Sequence, residues 1–358
     1  MTGPGPAPAG ERSGSAHVQS IDAAHEGAGS RAGAPHVSEN GVSRAGGGAA
    51  LCVALCGGIH LDRLAHADRR ILPDTSTPGR ILTRPGGVAT NVAMVLARLA
   101  IPARLFGRIG RDGDGDTLSA VLARRGIDMS GVREGKGATA SYLALHDPGG
   151  RLAAAVVDDA ITFEFAPDDL PPAALAQAAI WFADANLRAD TLERLAKLAG
   201  ARGTGVLLVA DAVSIAKARR LEPVLGRLDL LFANRAEAAA LVGTPGTAET
   251  LARALVDMED GPRAAIVTDG ESGAALAQTG NKTCLHRTAL PARVVDVTGA
   301  GDALTGGTLA GLAWGLDLAQ ALDYGRAAAA LTVEATGAAP ESLTLAALHL
   351  RLDAVEAD

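Results

Sequence analysis

The sequence predicts an α/β fold: a doubly wound, mostly parallel sheet flanked by helices, with a small β-sheet lid. Three observations predict it. From Leu51 onward, short apolar runs alternate with Ala/Leu/Arg/Glu-rich segments of helical length. The apolar runs are continuous rather than alternating, as expected of parallel strands covered on both faces. Two stretches, about 59–84 and 138–165, break the rhythm with strand-like pieces and no helix between them.

The strands are read from LCVALCG, ARLFGRIG, AIWFADA, GVLLVADA, DLLFAN and RAAIVTDG. Helices are read from NVAMVLARLA, DTLSAVLARRG, TLERLAKLAG and AEAAALVG. TASYLALHD and RLAAAVVDD, joined through PGG, predict a β-hairpin. Phe163 and Phe165, just past it, are read as alternating residues of a strand packed in the core, with stacking on a base as the alternative. Ligands in doubly wound sheets sit beyond the carboxyl ends of the strands. The two irregular stretches are expected to form a second β-layer covering such a site.

Composition narrows the function. The chain has 358 residues with 48% hydrophobic and only 3% aromatic content, so its core is built from Ala, Val and Leu. A net charge of −7 argues against a general nucleic-acid binder, which needs clustered Lys and Arg. The three cysteines, Cys52, Cys56 and Cys284, fit a reducing compartment and show no zinc spacing. No apolar run reaches the roughly 18 residues of a membrane span. Residues 1–48, rich in Gly, Ala, Ser and Pro, read as a disordered tail without the apolar region of a signal peptide. A cytoplasmic protein with a domain over 49–358 is expected.

Two glycine-rich turns carry the chemistry. In DVTGAGD, Gly299, Ala300 and Gly301 precede Asp302 and then a buried helix. Such a turn lets the backbone approach a ligand and aligns N–H groups with the positive helix end, giving an anion hole without a basic side chain. A carboxylate at its rim would repel a bound anion. Asp302 is therefore read as a base that takes a proton from an attacking hydroxyl, with a helix cap as the plainer alternative. The pattern points to phosphoryl transfer. No G-x-x-x-x-G-K-[ST] motif is present, and no G-x-G-x-x-G follows the first strand. In PGGVATN, Gly86 and Gly87 precede a helix bearing Asn91, an arrangement suited to sugar hydroxyls.

GGVATN followed by Ala93, then DVTGAGD far downstream, resemble the two signatures of the ribokinase-like (PfkB) carbohydrate kinases. NRAEAAALVG, VTDGESGAAL and GRIGRDGDGDTL resemble further elements of that family, and the likeness covers about residues 50–340. The resemblance implies ATP and magnesium. It implies Asp302 as base, with Gly299, Ala300 and Gly301 as anion hole. Asp62, Gly86, Gly87 and Asn91 then bind the acceptor. Asn234, Thr268, Gly270 and Gly273 bind the nucleotide. Asn234 and Glu237 organise magnesium, through water. Asp296 and Thr298 match a monovalent-cation site, for potassium. Pieces such as DTSTPGRILTRPGGVATN, ADANL and DAVSIAK resemble the pseudouridine kinases within the family. That implies phosphorylation of the 5′-hydroxyl of a C-nucleoside. A ribokinase, fructokinase or adenosine kinase-like activity is the alternative, and a sensor that lost catalysis is the reading of a different class. Homodimerisation through the lid is also implied. Lys217 is read as a solvated lysine that could reach phosphate. His60, His66, His146 and His286 show no ligand spacing and receive no role.

Overall fold

A computed structural model of the chain describes residues 51–356, preceded by a short antiparallel ladder pairing Val37–Ser38 with Gly41–Val42. The tail expected over 1–48 otherwise lies outside the described residues.

The chain enters through β1 (Val53–Cys56), then forms β2 (His60–Ala67), β3 (Gly79–Gly86) and helix α1 (Val88–Arg98). Next come β4 (Ala103–Ile109), α2 (Gly113–Arg124) and β5 (Asp128–Glu134). A hairpin of β6 (Ala140–His146) and β7 (Leu152–Asp158) follows. The second half runs β8 (Ile180–Asp184), α3 (Ala189–Gly200), β9 (Leu207–Asp211) and β10 (Leu230–Asn234). Helices α4 (Arg235–Val242) and α5 (Ala248–Asp257) lead to β11 (Ala264–Thr268), β12 (Ala274–Gln278) and β13 (Leu285–Arg287). The chain closes with α6 (Ala300–Ala313), α7 (Leu318–Val333) and α8 (Leu345–Glu356).

Nine strands form one sheet in the order β13-β12-β11-β10-β9-β8-β1-β4-β5. All pairs from β11 to β5 are parallel, and only β12 and β13 run antiparallel at one edge. Residues such as Leu55, Phe182, Val209 and Ile266 are fully buried, because helices cover both faces. One apolar cluster lies on each side of this sheet. The strand order reverses between β1 and β8, the position at which doubly wound sheets bind ligands.

The remaining strands form a separate sheet, β3-β2-β6-β7, the expected second layer. The predicted hairpin is present with Leu143 opposite Val156. One detail differs. Phe163 and Phe165 lie on and just after a 3-10 turn, Ala160–Glu164, not on a strand. Phe165 is buried in the core, whereas Phe163 packs under the Arg220 guanidinium, 4.8 Å from its ring centre. Among the described residues no helix is long and apolar enough to cross a membrane.

Candidate active site

The two glycine turns meet because α1 packs directly on α6. Helix α6 is buried nearly all round, as its apolar sequence demands. Gly306 makes the approach close: a Cβ there would stand 2.6 Å from Val95 Cγ1. This contact carries Asn91, on the first turn of α1, to Asp302, on the first turn of α6. Asn91 Nδ2 donates to Asp302 Oδ2 at 2.7 Å across 211 residues of sequence.

Asp302 is not a cap. The α6 N-cap is Gly299, in the left-handed conformation at φ 78°, with no side chain capping the helix. A Cβ at Gly299 would lie 2.4 Å from the Ala338 Cβ, so the turn excludes side chains on steric grounds as well. The Ala300 N–H is taken by Val297 O, and the Ala303 N–H by Gly299 O. The N–H groups of Gly301 and Asp302 are the first-turn donors that helix geometry leaves for an anion.

Burial pushes the Asp302 carboxyl up to about 7, the Asn91 donor pulls it back, and the charges of Asp184, Asp62 and Glu237 push it further up. Asp62 reaches the same region from the second sheet. Its carboxyl sits against Gly86, where a Cβ would lie 2.0 Å from Oδ2, so only glycine leaves it room. Burial raises Asp62 to about 6, partly offset by the Arg84 charge. Two acceptors here, Asp62 Oδ1 and Asn91 Oδ1, are buried without a hydrogen-bond partner among the described residues. Orphaned buried acceptors cost on the order of 1–3 kcal/mol each, a cost that hydroxyl donors of a bound polyol would remove.

On the other side of the Gly299–Gly301 turn lies a cavity of about 800 Å³, within the range of cofactor pockets. Thr268, Gly270 and Gly273, expected at the nucleotide, line it with Ala300 and Gly301. Its apolar wall comes from Leu290, Ala292, Val294, Val297, Ala329 and Val333, which the sequence reading did not single out. Asn234 and Glu237 form a reciprocal capping box on α4. Asn234 Oδ1 accepts from the Glu237 N–H at 3.0 Å, and Glu237 Oε2 accepts from the Asn234 N–H at 2.9 Å. The box holds Glu237 buried at the sheet's carboxyl end, where burial raises its carboxyl and its charge reaches Asp302. Asp296 and Thr298 sit where the turn begins: the Thr298 N–H donates to Asp296 Oδ1 at 2.8 Å.

Several residues of the site were missed. Asp184 ends β8 fully buried and gathers the backbone around the first glycine turn. Its Oδ2 accepts from the N–H groups of Gly58 at 3.0 Å and Ala89 at 2.9 Å, and its Oδ1 from Asn186 N at 3.0 Å. Asp211 ends β9, raised well above the usual carboxylate range by burial and by the charges of Asp302 and Glu237. Lys217 is not a solvated lysine. Its Nζ donates to Asp159 Oδ2 and Asn186 Oδ1, both at 2.6 Å. His60, given no role from sequence, is buried close to this group, with Nε2 lacking a partner among the described residues. The one available signal was position, since Asp184 and Asp211 each end an apolar run.

The family model for pfkB carbohydrate kinases matches residues 53–345. The chain therefore belongs to the PfkB family of carbohydrate kinases, a family of phosphotransferases. It is 27% identical to the pseudouridine kinase of Arabidopsis thaliana, over 81% of this chain and 93% of the relative. It is 30% identical to a fructokinase of Klebsiella pneumoniae, over 68% of this chain and 81% of the relative. Among solved structures, a carbohydrate kinase from Agrobacterium tumefaciens superposes with a TM-score of 0.73 at 32% identity, covering 85% of this chain and 97% of that one.

Proposed function

We propose that the protein transfers the γ-phosphoryl group of ATP to the 5′-hydroxyl of pseudouridine, giving pseudouridine 5′-phosphate. The observation that carries the kinase reading is the pair of orphaned acceptors, Asp62 Oδ1 and Asn91 Oδ1, beside a carboxylate at the amide-lined end of α6. In this reading ATP occupies the cavity behind the turn, with its γ-phosphate against the N–H groups of Gly301 and Asp302. Asp62 and Asn91 accept hydrogen bonds from ribose hydroxyls and turn the acceptor alcohol toward Asp302. Asp302 takes the alcohol proton as the oxygen attacks phosphorus. With its carboxyl near 7, it is basic enough to do so at neutral pH and still ionised in a useful fraction. The amides hold the charge on the transferring group without rearranging.

Magnesium bound with ATP neutralises phosphate charge. The donor set fits an ion held mostly by phosphates and water: no three acidic, imidazole or thiol groups converge among the described residues, and the Glu237 carboxylate reaches the site from its capping box. Support for a nucleoside comes from the Arabidopsis relative and from the polar group of Lys217, Asp159, Asn186 and His60, which offers donors and acceptors to a base edge. The fructokinase relative favours a sugar as the second reading. The protein further dimerises through its smaller sheet, on which Ile81, Leu143 and Val156 share a face and are 69%, 40% and 67% exposed.

The test is ADP release with pseudouridine, uridine, adenosine, ribose and fructose at saturating magnesium. The highest kcat/KM is expected with pseudouridine. A lead for ribose or fructose would replace the acceptor assignment, and no turnover with any of them would end the kinase reading.

A further inference from the structure

Asp296 opens the glycine-rich turn and ties it down. Its Oδ1 accepts from Thr298 N at 2.8 Å, and its Oδ2 from Gly337 N at 3.5 Å, joining the turn to the segment after α7. A cation also reaches this carboxylate, and it comes from the other sheet. Arg84 Nη1 lies 3.6 Å from Asp296 Oδ2, with the two side chains 21% and 24% exposed. Gly337, at φ 93°, borders it: a Cβ there would make ordinary contact with Arg84 Nη1 at 3.4 Å.

These contacts bear on the monovalent cation expected at Asp296 and Thr298. Such an ion needs oxygen ligands around a carboxylate with charge to spare. Here Thr298 turns an N–H toward Asp296, a donor where a cation wants an acceptor. The carboxylate already holds two backbone donors and a guanidinium. The residues present do not fit a separate ion at this carboxylate.

We propose that Arg84 replaces the monovalent cation: its guanidinium supplies the fixed positive charge that steadies Asp296 and the glycine-rich turn, so turnover does not need potassium. Arg84 is a positioning residue acting through Asp296. It is paired across β2 and β3 with Asp62, whose carboxyl it also draws down. One side chain therefore links the acceptor-binding carboxylate to the anion hole. The proposal rests on the kinase reading given above.

The experiment compares potassium chloride with tetramethylammonium chloride at constant ionic strength, so that general screening is fixed. Wild-type kcat is expected to differ by less than about twofold between the two salts, as it should where the charge is built in. Arg84→Ala should lose at least about tenfold in kcat in tetramethylammonium, the direction expected when a preorganised charge is removed. Potassium should restore part of that loss, and Arg84→Lys should keep most of the activity and remain indifferent to potassium. A second readout needs no turnover: anomalous scattering from crystals soaked in rubidium chloride. No rubidium is expected at Asp296 in the wild type, and one is expected there in Arg84→Ala. Rubidium on Asp296 in the wild type, severalfold potassium activation of the wild type, or an Arg84→Ala enzyme with unchanged kcat would each overturn the proposal. Should Arg84→Ala fail to fold, the wild-type rubidium result and Arg84→Lys still decide. Should no acceptor turn over, the kinase reading fails, and the rubidium result alone judges Arg84.

Discussion

The two sheets are built to opposite rules. Every residue of β1 and β8 is buried, and the carboxyl ends of β8, β9 and β10 deliver Asp184, Asp211 and Asn234 to one region. In the smaller sheet β7 is exposed along its whole length, and β3 is exposed until it reaches the site. A sheet packed between helices cannot shift one strand without disturbing a close-packed core, so it suits the fixed geometry of phosphoryl transfer. A sheet with a bare face has fewer apolar contacts to hold it, and such regions open at lower cost. In the proposed reaction the large sheet serves the chemical step, and the small sheet serves choice and enclosure of the acceptor through Asp62. Variants on the large sheet's side should act on kcat and variants of Asp62 and Gly86 on the acceptor KM, whereas Arg84, which works through Asp296, should act on kcat from the small sheet.

The largest effect is expected at Asp302. Asp302→Asn should lower kcat at least about a hundredfold, as loss of a general base does, with nucleotide affinity by calorimetry unchanged. The same variant carries a stability signature. Folded Asp302 keeps its proton up to about 7, whereas the ordinary value is 3.8. Its contribution is therefore full below about pH 3.8 and lost as pH rises through 7. Asparagine escapes that loss, so the gain in Tm of the variant over wild type should be larger at pH 8 than at pH 5.

Next comes Gly299→Ala. The left-handed turn costs alanine roughly 1–2 kcal/mol, and the contact with Ala338 adds to it, so kcat should fall severalfold or more while the acceptor KM holds. Gly86→Ala should do the reverse, driving Asp62 aside and raising the acceptor KM about tenfold, the scale of one lost hydrogen bond to a charged group. A Gly86→Ala enzyme impaired mainly in kcat would blur the division between the sheets. The smallest catalytic effect belongs to Leu143→Lys with Val156→Lys, which should turn the dimer into a monomer by light scattering and leave nucleotide affinity unchanged. A wild-type monomer would remove the dimer proposal.

The large sheet was legible because burial on both faces leaves a continuous apolar run, as in LFGRI and AAIVT. Strand β5, DMSGVRE, was not, because an edge strand keeps polar residues and loses that signature. Phe163 and Phe165 carried a strand's alternation into a 3-10 turn and its end, where the core took Phe165 and the Arg220 guanidinium covered Phe163. The glycine turns and Asp302 were readable because their spacing is local. Asp184 was not, since its partners Gly58 and Ala89 lie 126 and 95 residues away. The Arg84 contact with Asp296 was hidden for the same reason. Only the fold brings a strand of one sheet against a loop at the end of the other.

The claim that Asp302 accepts the proton is tested most directly by the pH dependence of single-turnover phosphoryl transfer in the wild type and in Asp302→Asn. The wild-type rate should rise with pH through an apparent pKa of about 7, and the residual rate of the variant should lack that rise. The same rise in both proteins would show that another group takes the proton and would contradict the account.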